Sequence, residues 1–573
     1  MAEETAPLTA EEIVEAFKSN ALTKLIFHRY DLAEDDQLKL FIELHNSKKI
    51  DLLSLIRSAE FQEIKPTSFF TGQHFYCEAI PSLTATAAEM MQCVDVLIGK
   101  GGADLAANQP NLAFRKWCEV DLRRAEAVIE LAKRADQLAC KFTSFALNAG
   151  NSVREATLFI ERYTDERRLA AIAALGRMSY QDKASALLAL STLLITLDRS
   201  SDDNLNASIL LSALEIANKV NEVRCSDVVE IIDRVCASPG AQVIFACARC
   251  LWLYAKFLDR AAVASLLKAL LSVDLAHKGT MHELDNALRA LVDTPCADQA
   301  LAFLAQLLVE ADGQLALADF QSFGPRFAEE LGGRFQKTFA SWMLSGKKVL
   351  CEGIVSLLRG EPRSKKPINL RIEECDLAPD DQIFLCRKVI GYLFLQPVIV
   401  ASVLVSVLRV CTEPVANEVQ GLFFEPLLRN YGGEIRDYLG SIEESDPAFP
   451  KVREALSQAD RYVDDLKSIG NVKELHPSER QRRVQHIRAV DEMREIHKSA
   501  MKQSVFANLV RRSVILYGKR SISYVADPGG QRRPIEMELK SHSVSFEMPR
   551  TQVIDPVGLD FVLLVLRAEQ RES

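Results

Sequence analysis

The stretch DDNLNASILLSALEIANKV, residues 202–220, decides how this chain is read. Leu205, Ile209, Ala213, Leu214 and Ala217 recur at steps of mostly three and four, so they form one stripe of a helix. Asp202 or Asp203 supplies its cap, because a short carboxylate accepts from the unpaired amides of a first turn. The same grammar returns downstream. Residues 238–259, SPGAQVIFACARCLWLYAKFLD, open with Ser238-Pro239, a cap and a first-turn proline, and are apolar nearly all round. Residues 280–294, TMHELDNALRALVDT, place Glu283 three positions after Thr280, the spacing of a capping box.

The three starts, Asp202, Ser238 and Thr280, lie 36 and 42 residues apart, with another helix between each pair. A two-helix unit cannot bury its faces alone and does so by stacking on copies of itself. In period and texture, residues 150–345 resemble HEAT or armadillo-type repeats. That resemblance implies an α-solenoid offering an extended groove to a protein partner.

Composition agrees with a large folded protein. The 573 residues are 48% hydrophobic and 26% charged, which predicts two to four domains or one long array. Net charge is −9, so the chain as a whole is not built for polyanions. From Pro477 to Arg550, however, 15 Lys and Arg stand against 8 Asp and Glu. A basic C-terminal region on an acidic body predicts a contact with an anionic partner surface. The thirteen cysteines are scattered through apolar helical patterns, and the acidic start has no apolar leader. Both features place the protein in the cytoplasm.

Residues 389–408, VIGYLFLQPVIVASVLVSVL, carry no charge and are long enough to span a bilayer. Pro397 breaks the run near its middle. Two buried helices meeting there are expected, and no membrane partner. Phe114 and Trp117, at helical spacing, are expected in the core.

The fold class is therefore mainly α: a helical-repeat (α-solenoid) array with a small β-containing C-terminal module. The expected divisions are an N-terminal helical region (1–150), the array (151–358), an exposed linker (359–381), a second helical block (382–470), a basic helix (471–520) and a β-rich module (521–573). In the linker, Ile368, Leu370 and Ile372 alternate as one extended piece. In the last module, Gly529-Gly530 and Pro549 mark turns around SISYVADPGGQRRPIEMELKSHSVSF, residues 521–546, and an apolar final run, GLDFVLLVLRAEQ, closes it.

Motifs that carry chemistry are sparse. Tyr517-Gly518-Lys519-Arg520-Ser521 lacks the upstream glycine of a phosphate loop, and His282-Glu283 has no second histidine at zinc-protease spacing. Cys247 and Cys250 make a single C-x-x-C on an apolar helix, which predicts core thiols in place of a zinc site. His486 and His497 lie three helical turns apart, too far to share an ion.

The one enzymatic lead is Glu538-Leu539-Lys540. With Asp527 it resembles the metal-binding hairpin of restriction-endonuclease-like proteins, and Glu492 or Glu495 stands where a helix acid would. That resemblance implies a metal-dependent nuclease subunit. An ordinary half-exposed strand places the same residues on one face, and Asp527 suits a turn without any metal. The favoured expectation is a non-enzymatic scaffold that needs no cofactor or metal. It binds a protein partner through its helical surface and through Arg482, Arg483, Arg494, Arg511, Arg512, Arg532 and Arg533. Nucleic acid is the alternative partner for those cations.

Overall fold

The structure, a computed structural model, describes all residues except 1–6, 103–107, 200–201, 222–225, 330–332, 359–366, 376, 471, 473–476, 504–519, 527–531, 539–546 and 572–573. The protein is mainly α-helical. It divides into two compact units, residues 1–335 and 336–573.

Among the described residues the first unit opens with the α-helices α1 (Ala10–Lys18), α2 (Leu22–His28), α3 (Asp35–Asn46), α4 (Leu52–Leu55), α5 (Ala59–Gln62), α6 (Pro66–Ala79) and α7 (Ala87–Gly101). Buried aromatics join them. The rings of Phe27 and Phe61 meet edge to face at 5.5 Å, and the Tyr76 hydroxyl donates to the Leu52 carbonyl at 2.8 Å.

Next come α8 (Gln109–Val120), α9 (Leu122–Lys133), α10 (Gln137–Gly150), α11 (Val153–Arg162), α12 (Glu166–Arg177), α13 (Lys183–Leu197) and α14 (Asp203–Val220). The series continues with α15 (Ser226–Ala237), α16 (Ala241–Tyr254), α17 (Arg260–Leu270), α18 (Lys278–Val292), α19 (Ala297–Glu310) and α20 (Phe323–Glu329). Consecutive helices pair, and alternate helices stack. The even helices from α8 to α20 form one layer, and the odd helices from α11 to α19 form the other. Phe114 and Trp117 are buried in α8, where the Trp117 indole donates to the Leu83 carbonyl at 2.9 Å.

Small side chains set the spacing of the even layer. Ala171, Ala174 and Gly176 on α12, Ser212 and Ala213 on α14, Ala246 and Ala248 on α16, and Ala287 on α18 are all buried. At Gly176 a Cβ would stand 3.0 Å from the Ser212 backbone, so any larger residue requires α14 to give way by a few tenths of an ångström. Both layers also bury large aliphatics, such as Leu210 and Leu288 on even helices and Leu190 and Leu267 on odd ones. Successive even helices contact one another more extensively than successive odd ones.

Two caps differ from the sequence reading. Asp202 does cap α14, accepting from the Asn204 amide at 3.2 Å. But α16 begins at Ala241, not at Ser238-Pro239, because its first amides are taken by a neighbouring helix. Asp203 of α14 accepts from Gln242 at 2.7 Å and from Val243 at 3.4 Å. In α18, His277 is the cap, its Nδ1 lying 3.1 Å from the Thr280 amide, and Thr280 is buried in the first turn. With those corrections α12, α14, α16 and α18 begin at intervals of 37, 38 and 37 residues. Asp285 of α18 repeats the cross-helix cap, accepting from Ser322 at 2.8 Å and Phe323 at 2.9 Å at the start of α20. Lys219 closes the other end. Its Nζ donates to the carbonyls of Gly176 at 2.5 Å and Met178 at 3.0 Å, and desolvation draws its pKa down.

Helix α21 (Gly333–Leu344) crosses the boundary at 335. The second unit holds α22 (Lys348–Leu358), α23 (Pro379–Leu393), α24 (Pro397–Leu408), α25 (Glu413–Leu422), α26 (Glu434–Gly440) and α27 (Phe449–Ser468). The charge-free run 389–408 is thus split between α23 and α24 at Pro397, and Ile399–Leu408 is wholly buried. Among the described residues no helix is long and apolar enough to cross a membrane. Ser402 and Ser406, one turn apart on α24, accept from the amides of Ile368 at 2.8 Å and Leu370 at 3.1 Å. Ile368, Leu370 and Ile372 are therefore buried core, in contrast to the exposed linker expected there.

The expected β-rich C-terminal module is also corrected. Beyond α28 (Glu479–Gln503), the strands β1 (Arg520–Ala526) and β2 (Arg532–Glu538) form one antiparallel ladder. The described residues past β2 hold two helices, α29 (Arg550–Ile554) and α30 (Pro556–Ala568), the latter packed on α23. A short apolar run is ambiguous by periodicity alone. Here the ends decide for helix: Asp555 accepts from the Gly558 amide at 2.9 Å, Pro556 takes the first position and Arg567 sits in the last turn.

If the Gly176 approach sets the even layer, Gly176→Val overpacks it and lowers stability by about 1–3 kcal/mol. Gly99→Ala is the control, since a Cβ there meets nothing within 4 Å, and it gains roughly 0.5–1 kcal/mol. Urea unfolding of the two variants checks both signs, and an unchanged midpoint for Gly176→Val contradicts the packing account.

Candidate functional site

One face of the even layer carries a groove of about 560 Å³ that crosses α10, α12, α14 and α16 in turn. The lining recurs at the three- and four-residue spacing of a single helix face, from Glu166 to Arg177 on α12 and from Asn204 to Leu211 on α14. Ser144, Ala170, Ala173, Ala207, Ser208 and Ala246 keep the floor low. Phe145, Leu169, Leu211 and Phe245 stand half-exposed along it. The rim is charged. Arg177 lies over the Phe145 ring with its guanidinium carbon 5.5 Å from the centroid, and Lys141 pairs with Asp95 at 3.1 Å. Glu166 supplies an acid on the same rim. Cys140 opens into the groove, half-buried, and burial raises its thiol pKa.

Nothing in that lining makes a nucleophile–base pair, and among the described residues no cluster of His, Cys, Asp or Glu is placed to hold a metal ion. What the groove offers is apolar contact with a few polar fixings.

The residues singled out in the sequence are distributed elsewhere. Cys247 and Cys250 are buried on one face of α16, and Cys236 of α15 brings a third sulfur to 3.9 Å from Cys247. The Cys236 contact and burial push the Cys247 thiol up, and burial pushes the Cys250 thiol up, so both are core groups. Arg482, Arg483 and Arg494 lie exposed on α28. Arg483 pairs with Glu479 at 2.6 Å, Arg494 with Asp491 at 3.3 Å, and Glu495 with Lys498 at 2.7 Å. Glu492 and His497 belong to the same helix, on which His486 is exposed. Arg532 and Arg533 fall in β2, in register with Ala526 and Val525, while Arg511 and Arg512 lie outside the described residues. Of the acid-x-lysine pattern, Glu538 ends β2 opposite Arg520, and Asp527 and Lys540 lie outside the described residues.

The groove itself escaped the sequence reading, because its floor is built from alanine and serine, which carry no chemical signature. The available signal was the run of small residues on α12, LAAIAALG at 169–176. No protein-family model matches the chain, and no curated protein or solved structure matches it significantly.

Accessibility separates the thiols. In the native protein a maleimide reagent is expected to label Cys140 well before Cys247 and Cys250, read by mass spectrometry of the digested chain. Equal labelling rates would contradict the burial of α16 and the openness of the groove.

Proposed function

We propose that the chain is a non-enzymatic binding scaffold that holds an extended or helical segment of a protein partner in the even-layer groove. In this reading the stack works as an α-solenoid of the HEAT or armadillo kind, presenting its grooved face as the contact surface. The observation that carries the reading is the groove: four alternate helices line it with small residues, and Phe145 and Phe245 lie on the first and last of them. Half-exposed aromatics over a low apolar floor are the features that anchor a bound segment. A second contact belongs to α28, where Arg482, Arg483 and Arg494 meet an acidic protein surface, with Arg532 and Arg533 of β2 adding to the same basic region of the chain. The mixed charge of α28, where Arg483 pairs with Glu479, Arg494 with Asp491 and Lys498 with Glu495, favours protein over nucleic acid.

The test is a native pull-down with the full chain beside Phe145→Glu/Phe245→Glu, each in nuclease-treated extract. The scaffold reading expects protein partners whose recovery drops by about tenfold in the variant while its melting temperature holds. Undiminished recovery removes the groove from the account. Recovery of nucleic acid alone, lost on nuclease treatment, removes the protein partner.

A further inference from the structure

The last helix is mostly apolar, with Asp560 and Arg567 its two charges, yet only one side is covered. Leu559 and Leu563 of α30 are buried against the second unit. Outward, Val557 is 77% exposed, Phe561 65% and Leu564 58%, with Val565 beside them. Val557, Phe561, Leu564 and Ala568 succeed one another by four, three and four residues, the spacing of a seam made for another helix. An exposed apolar face of this kind marks a contact site, and Asp560, three residues from Val557 and four from Leu564, puts one carboxylate beside it.

The helix is held firmly enough to present that seam. Lys388 of α23, itself buried, donates from Nζ to the carbonyls of Arg567 at 2.6 Å and Glu569 at 2.5 Å. The Arg567 Nε donates to the Gly391 carbonyl at 2.5 Å, and a Cβ on Gly391 would come within 3.2 Å of the Arg567 backbone. Arg387 pairs with Glu569 at 2.7 Å and Arg571 with Asp381 at 2.5 Å.

Along one edge of the seam lies a groove of about 830 Å³ between α22, α23 and α30. Its apolar wall is Val355, Tyr392 and Leu564, and its rim carries Lys347, Lys348 and Arg567. The lining has a single carboxylate, Glu352, which stands 3.8 Å from Lys348. The rim is therefore cationic.

We propose that the seam of α30 and this groove form a docking site for an amphipathic helix of a partner protein, apolar on one face and acidic along its flank. The apolar face covers Val557, Phe561 and Leu564, and the acidic flank meets Lys347, Lys348 and Arg567. Helix-in-groove recognition supplies the affinity and the charges set the orientation. A second copy of this chain is the poorer occupant, because a two-fold contact would set the same three cations against themselves. From Val557 to Ala568 the seam is about 16 Å long, so three turns of a partner helix cover it. This site lies in the second unit and is independent of the even-layer groove.

The test uses the full chain and two fluorescent synthetic helical peptides of about 18 residues, with the same leucine stripe and either glutamate or lysine flanks. Anisotropy titration is expected to give the glutamate peptide a Kd at least about tenfold below that of the lysine peptide. Phe561→Asp, at a position that is mostly solvent-exposed, weakens the glutamate peptide by about tenfold or more at an unchanged melting temperature. The double variant Lys347→Glu/Lys348→Glu reverses the preference between the peptides. Equal affinity for both peptides, or for neither, overturns the proposal. So does a concentration-dependent dimer abolished by Phe561→Asp, which assigns the seam to a second copy. Co-sedimentation with phosphatidylserine vesicles in place of peptide binding overturns it in favour of a lipid surface.

Discussion

The close approach of alternate helices in the even layer is the constraint on which the first unit depends. Gly176 against Ser212 is its tightest point, since a single added carbon would stand 3.0 Å from backbone. A helix pair is hydrophobic on faces that its own partner cannot cover, so each pair must lean on the next. Where alanine, serine and glycine meet, as at Gly176 and Ser212, the even helices come closest. The low floor of the groove is built from the same small residues, Ala170, Ala173, Ala207 and Ser208 among them.

Polar groups then fix the register of the stack. Asp203 and Asp285 each satisfy the first amides of the helix two places ahead, and Lys219 satisfies the last carbonyls of the helix two places behind. Unpaired helix ends are costly where the chain is packed, so these bonds tie each turn of the stack to a particular neighbour. The second unit uses the same logic on its terminal segment. Buried Lys388 meets the carbonyls that end α30, and Glu547 accepts from the amides of Gly433 at 2.9 Å and Glu434 at 2.8 Å where α26 begins.

Much of this architecture was legible as pattern, and the failures have physical causes. The stripe at 202–220 and the break at Pro397 are local signals, readable from a single helix. Ser238-Pro239 and Thr280 misled because their helices are capped by Asp203 and His277; for α16 the cap comes from 38 residues upstream in sequence, out of reach of any local rule. The alternating Ile368, Leu370 and Ile372 were visible as an extended piece, but Ser402 and Ser406, which bury it, sit inside a run that reads as featureless hydrocarbon. The final apolar helix looked like a strand because its length and composition fit both. The groove left the weakest trace, since a floor made of alanine and serine looks like any helix interior.

The account stands or falls on the grooved face of the even layer being the contact surface. A photo-crosslinking amino acid placed at Ser208, on the groove floor, and separately at Leu188, exposed on the odd helix α13, compares the two faces directly in native extract. The account predicts a discrete protein adduct from position 208 and none from position 188. Adducts of equal yield from both positions, or from 188 alone, would contradict it.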